Sequence, residues 1–148
     1  MTRGCYQLLL YLDRKSRVKI GKKGEHDFPE GYYIYTGSAL NGQEARINRH
    51  LRKEKKYFWH IDYLLPHCKI LKVIQYNQNH KNAVSECELN KKLLRKKNSV
   101  VVVKGFGSSD CHCASHLVYF KRLKAIVKSL KSKKDRGSIA KIKCSGGL

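Results

Sequence analysis

A small α/β domain is what this sequence predicts: a three-stranded antiparallel sheet flanked by helices, extended by extra strand and closed by a basic C-terminal helix. Three observations predict it. The first forty residues hold short runs of strand-forming residues separated by turn residues. The middle of the chain then changes to a helical period, with apolar residues four apart. The length of 148 residues, 41% of them hydrophobic, suits one ordinary core.

The elements follow in order. Gly4 to Leu12, rich in Leu and Tyr, reads as a buried strand, and Asp13-Arg14-Lys15-Ser16 as a turn. Arg17 to Gly21 alternates, with Val18 and Ile20 on one face, which predicts a hairpin with the first strand. Phe28-Pro29-Glu30-Gly31 is a second turn, and Gly31 to Gly37 a third strand in the same sheet. Ser38 to Gly42 is a loop in which Asn41 can cap a helix from Gln43 to Lys53, with Ile47 and Leu51 on one face. Trp59 to Leu65 predicts a short helical turn ended by Pro66. Ile70 to Tyr76 predicts a strand, Lys81 to Lys96 a helix capped by Asn79, and Ser99 to Lys104, with four successive valines, a strand buried on both faces. A glycine-rich loop leads to Leu117-Phe120. The domain is expected over residues 1–120, with a basic tail over 121–148. That tail should be helical from Phe120 to about Lys134, and its last dozen residues mobile.

Charge narrows the function. Thirty-two Lys and Arg against eleven Asp and Glu give +21, of which +9 falls in residues 121–148. A field of that sign favours a polyanion, nucleic acid first and an anionic membrane surface next. No apolar stretch approaches the roughly 20 residues that span a bilayer. Leu8-Leu9-Leu10 is soon interrupted by Asp13, so no secretory leader is expected. Six cysteines in such a chain fit reduced thiols in a cytoplasmic setting better than three disulfides.

Candidate chemistry lies at three places. Tyr6 opens the first strand and Tyr35 closes the third, so the two phenols can lie side by side. They are either a reactive pair or two core tyrosines with backbone partners. Nearby cations or a metal would favour a deprotonated phenol. Arg46 and His50 share a helical face, and a guanidinium matches phosphate in two parallel hydrogen bonds. Glu86 and Glu88 are rare acids among lysines, each a salt-bridge partner or a metal ligand. On a helix they point about 200° apart, so only one can face a given site.

Taken together, Gly4-Cys5-Tyr6, Tyr35-Thr36-Gly37, Arg46 nine residues after Gly37, and Glu86 resemble the GIY-YIG nuclease superfamily, over roughly residues 4–103. Trp59-His60-Ile61-Asp62-Tyr63-Leu64-Leu65 and Gly105-Phe106-Gly107-Ser108-Ser109-Asp110-Cys111 are similar to an uncharacterised stand-alone branch of it. The resemblance implies a metal-dependent endonuclease acting on DNA, with RNA a further possible partner and no membrane. It implies that Tyr6 takes the proton of the attacking water, and that Tyr35 positions Tyr6, water or phosphate. Arg46 would stabilise the charged phosphorane, and Glu86 would hold one Mg2+ or Mn2+. His50 would serve as a second phosphate contact or a proton carrier. Lys22, Lys23, Arg49, Arg52 and Lys53 would supply backbone affinity, which carries no sequence information. The rival is a nucleic-acid-binding module on the same fold without turnover. Intact Tyr6, Arg46 and Glu86 argue against it, since a pure binder has no use for an acid in a basic cleft.

One cluster stands apart. Cys111, Cys113 and His116 offer three zinc ligands, with Cys87, His60 or Asp110 as a fourth. The C-x-C spacing is tighter than zinc sites commonly use, and it favours simple packing over a structural zinc.

Overall fold

A computed structural model of the chain describes residues 4–39, 43–77, 86–108, 112–124, 126 and 139–141. Seven strands and three α-helices are among them: β1 (Gly4–Leu12), β2 (Ser16–Lys19), β3 (Glu25–Phe28), β4 (Gly31–Ala39), α1 (Gln43–Leu51), α2 (His60–Leu64), β5 (Lys69–Asn77), α3 (Glu86–Leu94), β6 (Leu117–Phe120) and β7 (Ile139–Lys141). The main sheet is antiparallel, in the order β6-β4-β1-β5-β7, and β2 and β3 form a separate ribbon. The predicted α/β class holds.

The first strand is central, which accounts for its near-continuous apolar sequence. Along β1, alternate residues serve two cores. Tyr6, Leu8, Leu10 and Leu12 join Tyr33, Tyr35, Ile47, Ile61 and the ribbon residues Val18, Ile20 and Phe28 on one face. Cys5 and Leu9 join Ile34, Ile74, Leu89, Leu93, Val118 and Ile126 on the other. A period of two on a doubly covered strand hides the polar alternation that half-exposed strands show. The buried polar trio on the second face satisfies itself: Gln7 donates to Thr36 Oγ1 at 3.1 Å and accepts from the Tyr76 hydroxyl at 2.9 Å.

Five expectations are corrected. β1 does not form a hairpin with residues 17–21, because β4 and β5 occupy both of its edges. The alternating segment pairs instead with β3, where Arg17 meets Glu25 at 2.7 Å and Asp27 at 3.2 Å. That pairing also makes a strand end of Phe28, read as part of a turn.

The valine run is not a strand either. Val100 exchanges two backbone bonds with Tyr119, and the chain then coils away through turns closed by Val103 and Gly105 carbonyls. Gly105 and Gly107 sit at φ +79° and +67°, where only glycine is unstrained, so they end any extended run. Val100 is half exposed, and only Val103 of the four is fully buried.

Phe120 ends β6 rather than opening the tail helix, and Ile139–Lys141, in the stretch read as mobile, pairs with β5. Residues 125, 127–138 and 142–148 of the tail, and residues 78–85, which include the start of the predicted glutamate helix, lie outside the described residues. Among those residues no helix is long and apolar enough to cross a membrane.

Candidate active site

The antiparallel register of β1 and β4 sets Tyr6 directly opposite Gly37. The Tyr6 ring lies over that glycine so closely that a Cβ there would stand 2.6 Å from the ring and from the hydroxyl. A glycine at position 37 is therefore a steric requirement of the tyrosine at position 6. Tyr35 lies two residues back along β4, on the same face, with its ring centre 6.4 Å from that of Tyr6.

Helix α1 brings His50 and Arg46 to the pair. The Tyr6 hydroxyl and His50 Nε2 are 2.6 Å apart, and Arg46 also hydrogen-bonds Tyr6. A guanidinium only donates. An arrangement in which Arg46 donates to the phenol oxygen and the phenol donates to Nε2 therefore uses all three groups. It leaves the one N–H proton of the neutral ring on Nδ1, which has no hydrogen-bond partner among the described residues. Burial presses the His50 pKa down to about 3, helped by Lys55, so the imidazole is neutral at ordinary pH.

The phenols are pushed the other way. Burial raises Tyr6 well above its ordinary value and Tyr35 adds to that, while the charge and hydrogen bond of Arg46 oppose it. Burial and Glu86 likewise raise Tyr35. Arg46 favours the deprotonated phenol, as a nearby cation should, but loss of water outweighs it. Tyr6 is wholly buried and His50 nearly so; Arg46 is half-buried, and the Glu86 side chain keeps 29% of its exposure.

Glu86 opens α3, and its charge acts on both Tyr6 and Tyr35. Glu88 is exposed, as the helical spacing requires of the second acid. The Oε2 atom of Glu86 lies 3.4 Å from His116 Nδ1, on the segment that leads into β6. Tyr6, Tyr35, Arg46, His50 and Glu86, spread over eighty residues of sequence, thus form one interacting group.

The predicted surface cations divide. Arg52 and Lys53 are exposed beyond the end of α1, and Lys22 and Lys23 sit exposed on a 3-10 turn, where Lys23 donates to the Lys104 carbonyl at 3.2 Å. Arg49, expected to contact phosphate, is engaged within the protein. It is clamped by both Asp62 oxygens, at 2.8 and 3.0 Å, and by the Lys56 carbonyl. Asp62 is buried, and it also accepts from the backbone N–H groups of Phe58 and Trp59, capping α2. Burial would raise its pKa, but Arg49 and the two N–H groups outweigh that and hold it below the usual carboxylate value.

Trp59, unassigned by sequence reasoning, is the piece that joins these groups. The guanidinium carbons of Arg46 and Arg49 each lie 4.3 Å from its ring centre, and His50 packs beside it at 6.0 Å. The readable signal was Asp62 in Trp59–Leu65: a lone acid in so basic a chain calls for a cation, and Arg49 stands one turn from Arg46. His60 is no metal ligand, since its Nδ1 accepts the Gly107 N–H at 2.9 Å. Cys111 and Asp110 lie outside the described residues.

A family model described as Domain of unknown function DUF123 matches residues 5–138, a span that includes every residue of the group. No curated protein and no solved structure matches the chain.

Proposed function

The chain belongs to the DUF123 family, and we propose that it is a divalent-metal-dependent endonuclease that hydrolyses phosphodiester bonds in DNA, working in a reducing, cytoplasmic setting. The observation that carries this reading is the close set of Tyr6, Tyr35 and His50, with the Tyr6 hydroxyl 2.6 Å from His50 Nε2 and the two phenol rings 6.4 Å apart, on which the charges of Arg46 and Glu86 both act. A basic chain has little structural reason to gather a guanidinium, a carboxylate and two phenols at the end of one sheet.

The chemistry follows from the phosphodiester. Water must attack in line while the opposite oxygen leaves, and the charge that builds on phosphorus needs a fixed cation. Arg46 is such a cation, held by Trp59 below and Tyr6 beside it, so it pays little reorganisation when a phosphate arrives. Glu86 suits magnesium or manganese: a single, partly exposed carboxylate leaves room for waters and phosphate. When bound there, the ion would supply Lewis-acid stabilisation of the leaving oxygen.

A neutral phenol with a raised pKa cannot take a proton unless it gives one up. The 2.6 Å contact to His50 offers that path: as Tyr6 Oη accepts the water proton, its own proton moves to Nε2. The resulting imidazolium is favoured by Asp62 and opposed by Lys55, Arg46 and Arg49, so the proton is held only briefly. Burial disfavours His50 as a phosphate contact and supports the carrier role. Because Tyr6 is sealed, substrate binding must admit one water to its hydroxyl.

That seal is also the observation that favours the rival, a binding module without turnover. Incubation of the chain with single-stranded, duplex, flapped and branched DNAs, with and without Mg2+ or Mn2+, separates the two. The proposal expects metal-dependent cleavage of at least one substrate, lost in Glu86→Ala and Glu86→Gln with binding kept or tightened. Binding without cleavage by the unaltered chain on every substrate sinks it.

A further inference from the structure

The Sγ atoms of Cys87 and Cys113 and a ring nitrogen of His116 all lie within 4.8 Å of one another. They come from two places: Cys87 from the first turn of α3, Cys113 and His116 from the segment before β6. We propose that Cys87, Cys113 and His116 form a zinc site that fastens the glutamate helix to the sheet edge. This reverses the sequence expectation, which rested on the C-x-C spacing and on the absence of a clear fourth ligand. The ligand that matters from the helix is Cys87, and spacing within the loop no longer constrains the set.

The geometry suits a tetrahedral ion. Zinc binds thiolate at about 2.3 Å and imidazole at about 2.0 Å, which sets tetrahedral ligands roughly 3.5–3.8 Å apart. The Cys87 Sγ to His116 Nε2 distance is 3.8 Å. Both cysteines are thiols, outside any disulfide. The opposite ring nitrogen, Nδ1, faces Glu86 Oε2 at 3.4 Å. A carboxylate behind a ligating histidine fixes its tautomer and raises its basicity, as is usual at zinc sites. The backbone is already rigid there. His116 donates its N–H to the Phe106 carbonyl at 2.7 Å, its carbonyl accepts from Thr36 at 3.0 Å, and the Asn90 amide of α3 donates to the Ser115 carbonyl. On so anchored a backbone, small side-chain adjustments bring the three ligands onto an ion, and the fourth tetrahedral position is left to water or a further side chain.

The inference needs no nucleic acid and stands independently of the nuclease reading. The test is the metal content of the full, untagged chain, purified reduced and dialysed against metal-free buffer. About one zinc per chain is expected. Cys87→Ser and Cys113→Ser should each cut it to less than a tenth, with circular dichroism confirming that the variants fold. Cobalt(II) added to reduced, zinc-stripped protein should give thiolate-to-cobalt absorption and intense tetrahedral bands that excess Mg2+ does not displace. Glu86→Gln should keep the site but weaken it by ~10–100-fold, as loss of an outer-shell partner does. Wild-type protein that holds no zinc and shows no such bands overturns the proposal. So does iron in zinc's place, or zinc that persists undiminished in the folded Cys113→Ser variant.

Discussion

Arg46 and Arg49 stand one turn apart on α1 and lie equally close to the Trp59 ring, yet they belong to two different regions of the molecule. Around Arg49 every charge is answered. Asp62 takes two of its N–H groups and a backbone carbonyl a third, and Lys55 closes the end of α1 on the Arg49 and His50 carbonyls. Around Arg46 the partners are a phenol and an aromatic face, neither of which neutralises it. One guanidinium has been converted into scaffold; the other is kept charged, oriented and unneutralised. A cation reserved for an anion that is not part of the protein looks like the second, and sequence composition cannot tell them apart.

The comparison is sharpened first by activity. Arg46→Ala and Glu86→Ala should each lower kcat by about 10²–10³-fold, the usual loss when one preorganised transition-state contact is removed. Arg46→Lys should recover only part, since an ammonium lacks the planar fork. Arg49→Ala should leave turnover per folded molecule near wild type; a loss as large as that of Arg46→Ala breaks the distinction.

Stability should show the reverse order. Arg49→Ala strands a buried Asp62 and is expected to cost about 3 kcal/mol, read from denaturant titration, whereas Arg46→Ala should cost less than half of that. Acid titration adds a third reading. His50 is neutral when folded, with a pKa near 3, but titrates near its ordinary ~6.5 when unfolded. Between those values the unfolded chain binds the extra proton, so stability falls as pH drops from about 6.5 toward 3. Asp62, depressed when folded, adds a further loss as pH falls below about 4. His50→Gln should flatten the upper limb of that profile and leave the lower one.

The smallest effect belongs to the exposed cations. Arg52→Ala or Lys53→Ala should each reduce the slope of log K against log salt on duplex DNA by up to about 0.9, one phosphate contact, while Arg49→Ala leaves the slope unchanged.

The elements with a strong period were legible in the sequence: β1, β4, α1 and β5 fall within a few residues of their predicted bounds, and the charges of Arg46 and Glu86 both reach the Tyr6 phenol. What was not legible depends on partners distant in the chain. Four valines signal burial but not which backbone they bond, and two left-handed glycines turned them into a coil. The segment 17–21 alternates as a hairpin strand should, yet nothing local says that β5, some sixty residues later, takes the edge of β1. Arg49 reads as one more cation on a basic helix until Asp62 is placed beside it. Cys87 carries no metal-binding spacing at all, since its companions lie about thirty residues on.

The order β6-β4-β1-β5-β7 has a consequence for how the chain is made. The central strand is the first to be synthesised, and the described strands on both rims come after residue 116. From the completion of β5 until β6 is made, the growing β4-β1-β5 sheet therefore has two open rims of unpaired backbone, the kind of surface on which neighbouring nascent chains adhere. The late arrival of β6 closes one rim and in the same stroke delivers His116 to Glu86. A chain that stops before that point has neither the β6 rim of the sheet nor His116 beside Glu86.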